Sequence, residues 1–315
     1  MAVKLRSGLY KWTLLCVPSL LWAGNFILAR YFREDFYPYD LAFFRWSLVL
    51  VVVWSLYGRQ TLSYVRILWN HKGLVCLLAI TGVTGFNTLL YYGLEQTTAL
   101  NAAFINSIIP LMIILMTWVF FRVTPLSIEW LALVISFCGV AIILARGDIE
   151  IFKGFEFNVG DLFAVSSALV WAIYSVWVPL LLRKVPPQVL LCSIVMVGWF
   201  LLLPYFLYRI GLTLGDFTAA TSVIQPIKLS GVGFILYVAI LASVVAYRIW
   251  NRCVEVAGAN LSGLSLNLLP LFASLGGIIF LGERFEFYHL WGGMAIVISL
   301  AIAFYGKQKK RITTH

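Results

Sequence analysis

Two stretches of the sequence, EQTTALNAAFINSIIPLMIIL (95–115) and EVAGANLSGLSLNLLPLFASL (255–275), align at a constant spacing of 160 residues. The identical pairs are Glu95 and Glu255, Ala99 and Ala259, Pro110 and Pro270, Leu111 and Leu271, and Leu115 and Leu275. Nearer the N-terminus, Trp22 and Ala23 match Trp171 and Ala172 at a spacing of 149, and the longer link 209–228 absorbs the difference. Chance similarity of apolar segments is the alternative, but a shared Glu, Pro and Trp in the same order favour an internal repeat.

Composition places both copies of this repeat in a membrane. Of the 315 residues, 62% are hydrophobic and 11% are charged, whereas soluble domains are about half apolar and a quarter charged. Apolar runs of about 20 residues, long enough to cross a bilayer as helices, recur along the whole chain. The predicted spans, numbered 1 to 10, are 10–30, 39–57, 73–93, 98–121, 126–145, 159–182, 188–208, 229–251, 259–281 and 287–306.

Other membrane architectures fit the sequence less well. A transmembrane β-barrel would show segments of about ten residues with alternating polarity, and the runs here are continuously apolar. The first run, Leu9 to Ala29, is longer than a signal-peptide core, so we expect it to be retained as span 1. No link is long enough for a soluble catalytic or DNA-binding module. The predicted fold is therefore all-α and integral to the membrane.

The repeat divides the ten spans into two halves, residues 1–150 and 151–315. Each half has five spans, and because five is odd, the second half enters the membrane in the opposite orientation. Inverted repeats are a recurrent design of secondary transporters, in which the two halves enclose a central binding site. The sequence thus predicts two inverted five-helix repeats around a central cavity.

Orientation follows from the positive charges in the links. With both termini in the cytoplasm, the inner segments carry 14 Lys and Arg residues and the outer segments carry 7. Because cytoplasmic links are enriched in Lys and Arg, we expect a multi-pass protein of the cell (inner) membrane with both termini cytoplasmic. The net charge of +10 then reflects topology and attraction to anionic lipid, not nucleic-acid binding.

Polar and aromatic residues recur at helical spacing on one face of several spans, and an amide within hydrocarbon requires a partner or water. We therefore predict that these faces line a substrate cavity. The alternative is that the same side chains join helices by hydrogen bonds. The predicted cavity residues are Trp22, Asn25, Arg45, Asn87, Tyr91, Asn106, Trp171, Tyr174, Tyr247, Trp250 and Asn267.

Two features within the spans suggest more specific roles. Pro110 and Pro270 each remove a helix hydrogen bond and kink their helix, as gating points or as static bends. Arg45 lies six residues into span 2, where a charge is costly and often functional. It pairs with Asp40, extends to the outer interface, or faces the cavity and attracts an anionic group such as a carboxylate.

Residues for catalysis or metal binding do not form a recognisable pattern. The sequence contains no metal-ligand cluster, Ser-His arrangement or phosphate-binding glycine loop, so we predict no catalytic residues, no metal and no cofactor. The expected partners are a small-molecule substrate and membrane lipids. A homodimer is left open.

Four segments give the chain a resemblance to the EamA-type family of the drug/metabolite transporter superfamily. They are LLWAGNF (21–27), the pair Pro38 and Arg45, ASVVAYRIWN (242–251) and VEVAGANLSGLSLNLLPLFASLGGIIFLGERFEFYHLWG (254–292). The first half departs from the family where Phe-Arg-Val (121–123) replaces an acidic end to span 4.

The resemblance implies export or exchange of small metabolites, often amino acids, by alternating access. A membrane channel and an integral membrane enzyme or lipid flippase are the alternatives.

Overall fold

The architecture comes from a computed structural model of the chain. The structure describes residues 2–31, 38–97, 99–148, 150–151, 157–209, 229–282 and 284–313. All the regular elements of these ranges are helices. Nine helical segments within them are long and apolar enough to cross a membrane, and the N-terminal helix Ala2–Tyr31 makes the tenth span.

The ten spans are confirmed, with ends that differ from the prediction by up to eight residues, the largest difference being at the start of span 1. Six are single helices, whereas spans 3, 4, 8 and 9 are each built from two helices. The bounds are, for span 1, Ala2–Tyr31; span 2, Pro38–Ser63; span 3, Lys72–Ala79 and Phe86–Gln96; span 4, Ala99–Asn106 and Ile109–Phe121; span 5, Ser127–Leu144; span 6, Val159–Leu182; span 7, Pro187–Arg209; span 8, Leu229–Leu236 and Ala246–Ala257; span 9, Ala259–Ser265 and Leu268–Leu281; and span 10, Phe287–Thr313. A short helix, Val65–Asn70, links spans 2 and 3.

Spans 4 and 9 are interrupted just before their prolines. Span 4 breaks after Asn106 and span 9 breaks after Ser265. A proline lacks the N–H that would bond to the carbonyl four residues earlier, and its ring crowds that carbonyl. For Pro110 and Pro270 those carbonyls belong to Asn106 and Leu266, so the breaks lie where the prolines require them.

Spans 3 and 8 carry a second matched irregularity. Their two α-helices are joined by π-helical segments, Ile80–Gly85 in span 3 and Tyr237–Val245 in span 8. At the repeat spacing of 160 residues, the first segment corresponds to 240–245, which lies within the second. A π segment inserts an extra residue into a helix and is frequent at functional sites. Each half therefore has a proline break and a π segment at equivalent positions.

The packing of the spans follows the same correspondence. Span 1 packs on spans 8 and 9, and its counterpart, span 6, packs on spans 3 and 4. Span 2 packs on its own counterpart, span 7, and span 5 packs on span 10. Elements that pack on their own counterparts lie near the axis relating the two halves. This packing is the pattern expected if two related five-helix units are joined about an approximate two-fold axis.

Spans 5 and 10 approach each other closely because both carry glycine at the crossing. A Cβ atom on Gly139 would lie 2.7 Å from the carbonyl oxygen of Gly292, and one on Gly292 would lie 2.7 Å from that of Gly139. Within a bilayer, small residues let helix backbones come together and gain packing contacts. This contact joins the two halves.

Candidate functional site

Six large aromatic side chains pack together at the centre of the molecule, and we call them the central aromatic cluster. All six are at most 9% exposed. They come from spans 1, 2, 6 and 8, and the members are Trp22, Trp46, Trp171, Tyr174, Tyr247 and Trp250.

The repeat-related residues Trp22 and Trp171 meet within this cluster. Their ring centroids are 5.3 Å apart in an edge-to-face arrangement, which is a favoured geometry for aromatic pairs. Both rings also contact Tyr247 and Trp250, with centroid distances of 5.5–6.1 Å. A residue that touches its own counterpart lies near the axis between the halves, so the cluster occupies the junction of the two repeats.

The two π segments hold the cluster through their carbonyl oxygens. Trp22 Nε1 donates to the carbonyl of Ala242 at 2.9 Å, and the Tyr247 hydroxyl donates to the carbonyl of Gly82 at 2.6 Å. Gly82 and Ala242 are themselves 160 residues apart. A π segment bonds five residues ahead instead of four, so its carbonyls are displaced from α-helical positions. Each half therefore offers an equivalent carbonyl to an aromatic donor.

A third polar link connects spans 6 and 8. The Tyr174 hydroxyl donates to Asn251 Oδ1 at 2.8 Å, and both side chains are fully buried. Space is tight here, because a Cβ atom on Gly82 would come within 2.6 Å of the Tyr174 ring. Gly82 thus lets span 3 approach the cluster.

Arg45 lies beside the cluster and is 2% exposed. Its guanidinium donates to Ser243 Oγ at 2.7 Å, to Asn87 Oδ1 at 3.3 Å and to the carbonyl of Ala242 at 3.4 Å. The side chain therefore points to the interior and does not extend to the outer interface. Asp40, the other suggested partner, has a side chain outside the described residues.

The remaining predicted residues divide between the centre and the helix contacts. Asn25 is half-buried on span 1, one turn from Trp22. Asn106 lies at the break in span 4, and its buried Oδ1 has no hydrogen-bond partner among the described residues. Asn267, 1% exposed at the break in span 9, donates to Ser136 Oγ of span 5 at 2.8 Å, the helix-joining role that the sequence left open. The Tyr91 side chain is outside the described residues.

Trp46 and the two π carbonyls are central residues that the sequence analysis missed. Trp46 is fully buried, and its ring packs edge-to-face on Tyr247 at 5.6 Å. Only its position next to Arg45 on span 2 could have suggested it. Gly82 and Ala242 act through backbone oxygens, and side-chain patterns do not report these.

A second polar group lies where spans 3, 4 and 6 meet. Asp161 is fully buried and accepts from the Thr97 hydroxyl, from Asn101 Nδ2 at 3.5 Å and from the backbone N–H of Asn158 at 2.9 Å. The Asn158 side chain accepts from the Asp161 N–H at 3.1 Å in return, which makes a capping box. Asp161 therefore caps the first turn of span 6.

The described residues contain no group of three or more His, Cys, Asp or Glu side chains placed to hold a metal ion. The chemistry available at the centre is hydrogen-bond donation, one buried cation and a large aromatic surface. These groups can bind a small molecule with an acceptor-rich end and an apolar body.

Comparison with known proteins agrees with this architecture. One solved crystal structure superposes with a TM-score of 0.72 at 19% identity, covering 96% of this chain and 97% of that one, which shows a shared fold. An uncharacterized transporter of Archaeoglobus fulgidus is 27% identical over 286 residues, which cover 90% of this chain and 93% of the relative. The uncharacterized transporter YyaM of Bacillus subtilis is 24% identical over 291 residues, with 90% of each chain covered.

The sequence model of the EamA-like transporter family matches the chain twice, at residues 11–145 and 158–305. Together the two matches cover most of the sequence. The relatives are named as transporters, which points to transport rather than to enzymatic activity. This chain is therefore a multi-pass membrane protein that belongs to the EamA-like transporter family.

Proposed function

We propose that the protein is a secondary transporter that exports a small metabolite, an amino acid or a related compound, by alternating access. The observation that carries this proposal is the meeting of matched irregular helices at the central aromatic cluster. Each half contributes a π segment that touches the cluster and a proline break in the neighbouring span. Such breaks in the helical ladder are places where a helix bends, and matched bending points let two related halves exchange conformations.

The cluster and the polar groups around it are the proposed binding site. Aromatic faces suit an apolar or aromatic side chain and also attract an ammonium group. Asn87 supplies an amide beside Arg45 and Asn25 lies one turn from Trp22, and we retain all the predicted cavity residues, Asn106 included, as proposed lining of the transport path. Pro110 and Pro270 are the proposed gating points.

The first test is counterflow in liposomes that contain the purified protein. We expect labelled phenylalanine, tryptophan or leucine to enter with saturable kinetics, and faster when the liposomes are preloaded with the same unlabelled compound. Protein-free liposomes are the control. Flux that rises linearly with concentration and ignores the preload would indicate a channel, and movement of labelled lipid alone would indicate a flippase. If no metabolite exchanges, the transport proposal is wrong.

We further propose that both termini are cytoplasmic, on the basis of the 14 to 7 distribution of positive charges. Green fluorescent protein fused to the C-terminus is expected to fluoresce in cells, because it folds on the cytoplasmic side. Alkaline phosphatase inserted in the link 209–228 is expected to be active, because that link then lies outside. A dark C-terminal fusion together with an inactive phosphatase would mean that the C-terminus lies outside and the link 209–228 lies in the cytoplasm.

A further inference from the structure

The centre of the protein contains a buried cation whose partners among the described residues are all neutral. Arg45 is 2% exposed, and its three hydrogen-bond acceptors are a hydroxyl, an amide oxygen and a backbone carbonyl. No carboxylate among the described side chains contacts the guanidinium. A buried charge without an opposite charge is costly in a protein interior and marks a functional site when it lies within a membrane.

Buried hydrogen-bond donors without acceptors lie beside this cation and on span 8 of the described structure. Four buried N–H groups have no partner among the described residues: Trp46 Nε1, Asn87 Nδ2, Trp250 Nε1 and Asn251 Nδ2. Two of them are close to Arg45, because Asn87 bonds to it directly and the Trp46 ring centroid is 5.2 Å from its guanidinium carbon. A buried donor without an acceptor destabilises the folded state, because it has lost its hydrogen bond to water. The two unmatched acceptors, Asn106 Oδ1 and Asn260 Oδ1, lie on spans 4 and 9 instead.

The repeat does not account for this cation. At spacings between 149 and 160 residues, the counterparts of Arg45 fall within 194–205, a stretch that contains no Lys or Arg. One half alone therefore supplies the charge, at a centre where the aromatic pair and the π carbonyls are shared by both halves. A group that breaks the symmetry and raises the cost of folding requires a separate reason for its presence.

We propose that Arg45 and Asn87 bind the carboxylate of the transported molecule, while the central aromatic cluster contacts its apolar body. The planar guanidinium can donate two parallel hydrogen bonds to a carboxylate, and Asn87 Nδ2 supplies a further donor next to it. The substrate class is a small carboxylic acid with an apolar or aromatic side chain, as in the apolar amino acids. This assignment rests on the proposed transport function and adds the chemical group that the site recognises.

The test compares each carboxylate with a molecule that lacks only that group. Phenylalanine, tryptophan and leucine are measured against their amides, by thermal shift of the detergent-purified protein and by counterflow. We expect the acids to act at concentrations at least about tenfold lower than the amides, since a charge-assisted pair supplies more than the 1.4 kcal/mol that a factor of ten represents. Arg45→Gln is expected to remove this preference, and Arg45→Lys, which keeps the charge but loses the fork, to weaken it.

Arg248→Gln is the matched control, because Arg248 is an exposed cation of span 8 whose guanidinium contacts the Tyr57 hydroxyl. It should leave the preference for acids unchanged. The assignment of the carboxylate site is wrong if Arg45→Gln keeps the preference for acids, or if the wild type exchanges acids and amides equally. In either case the proposed transport function still stands. If nothing exchanges in any protein, the transport function itself fails.

A measurement without ligand separates a binding role from a structural one. Arg45→Gln removes a buried charge that no described carboxylate contacts, and it retains an amide that can donate to Ser243 or Asn87. We therefore expect its melting temperature in detergent to exceed that of the wild type by about 2 °C or more. A lower melting temperature would mean that Arg45 holds the helices together, and it would overturn the assignment whether or not a substrate has been found.

Discussion

Trp171→Ala is expected to lower the free energy of unfolding by about 3–5 kcal/mol, the usual cost of truncating a fully buried Trp. The side chain is 2% exposed and its ring contacts five others, those of Trp22, Phe86, Tyr174, Tyr247 and Trp250, at centroid distances of 4.8–5.8 Å. Removing it opens a large hole between the two halves, and the four spans around it cannot close it without moving apart from other partners. Denaturant titration in mixed micelles measures the change.

Trp118→Ala is the control for this experiment. Trp118 is also a membrane-span tryptophan, but it is 46% exposed on span 4, so its loss should cost no more than about 1 kcal/mol. Trp171→Phe keeps an aromatic ring in place and should recover part of the lost stability. Equal effects of Trp171→Ala and Trp118→Ala would show that the aromatic cluster does not hold the halves together.

The ten spans could be predicted because the bilayer imposes length and apolarity on each of them. The two proline breaks could also be anticipated, because Pro110 and Pro270 act through covalent structure that is visible in the sequence. Span ends were less accurate: span 2 was predicted as 39–57 and runs from Pro38 to Ser63. Helices extend past the hydrocarbon into polar residues, and hydropathy has no signal for where they stop.

For the candidate site, the signal in the sequence was the helical spacing of polar and aromatic residues, not bilayer length and apolarity. Helical spacing selected Trp22, Trp171, Tyr174, Tyr247 and Trp250, and in the structure these side chains are buried and packed together. It could not separate residues that face the centre from residues that join helices, such as Asn267 with Ser136. The π segments were invisible because they depend on backbone register, and no side-chain type specifies that register. Trp46 was missed because the alignment of the repeats fixes no single spacing for span 2, so Trp199 of span 7 could not be recognised as a possible counterpart.

Gly160→Ala is expected to destabilise the protein by about 3 kcal/mol, at the upper end of the cost of overpacking. A Cβ atom on Gly160 would lie 2.6 Å from the Thr97 nitrogen, 2.7 Å from the Gln96 carbonyl carbon and 2.8 Å from the Gly93 oxygen. All three are backbone atoms at the end of span 3, so no side chain can rotate away. Relief requires spans 3 and 6 to separate, and that would also strain the bond from Thr97 to the adjacent Asp161.

If close packing of backbones causes the loss of stability in Gly160→Ala, then Gly233→Ala should not destabilise the protein. Gly233 lies in the first helix of span 8, and a Cβ atom there would meet nothing within 4 Å. Alanine favours helix by about 1 kcal/mol relative to glycine, so this variant should be as stable as the wild type or slightly more so. Gly93→Ala provides an intermediate case, since its nearest contacts are 3.0 and 3.3 Å. If melting temperature does not fall in the order Gly233, Gly93, Gly160, the two backbones do not meet at this crossing, and the start of span 6 is not fixed against span 3.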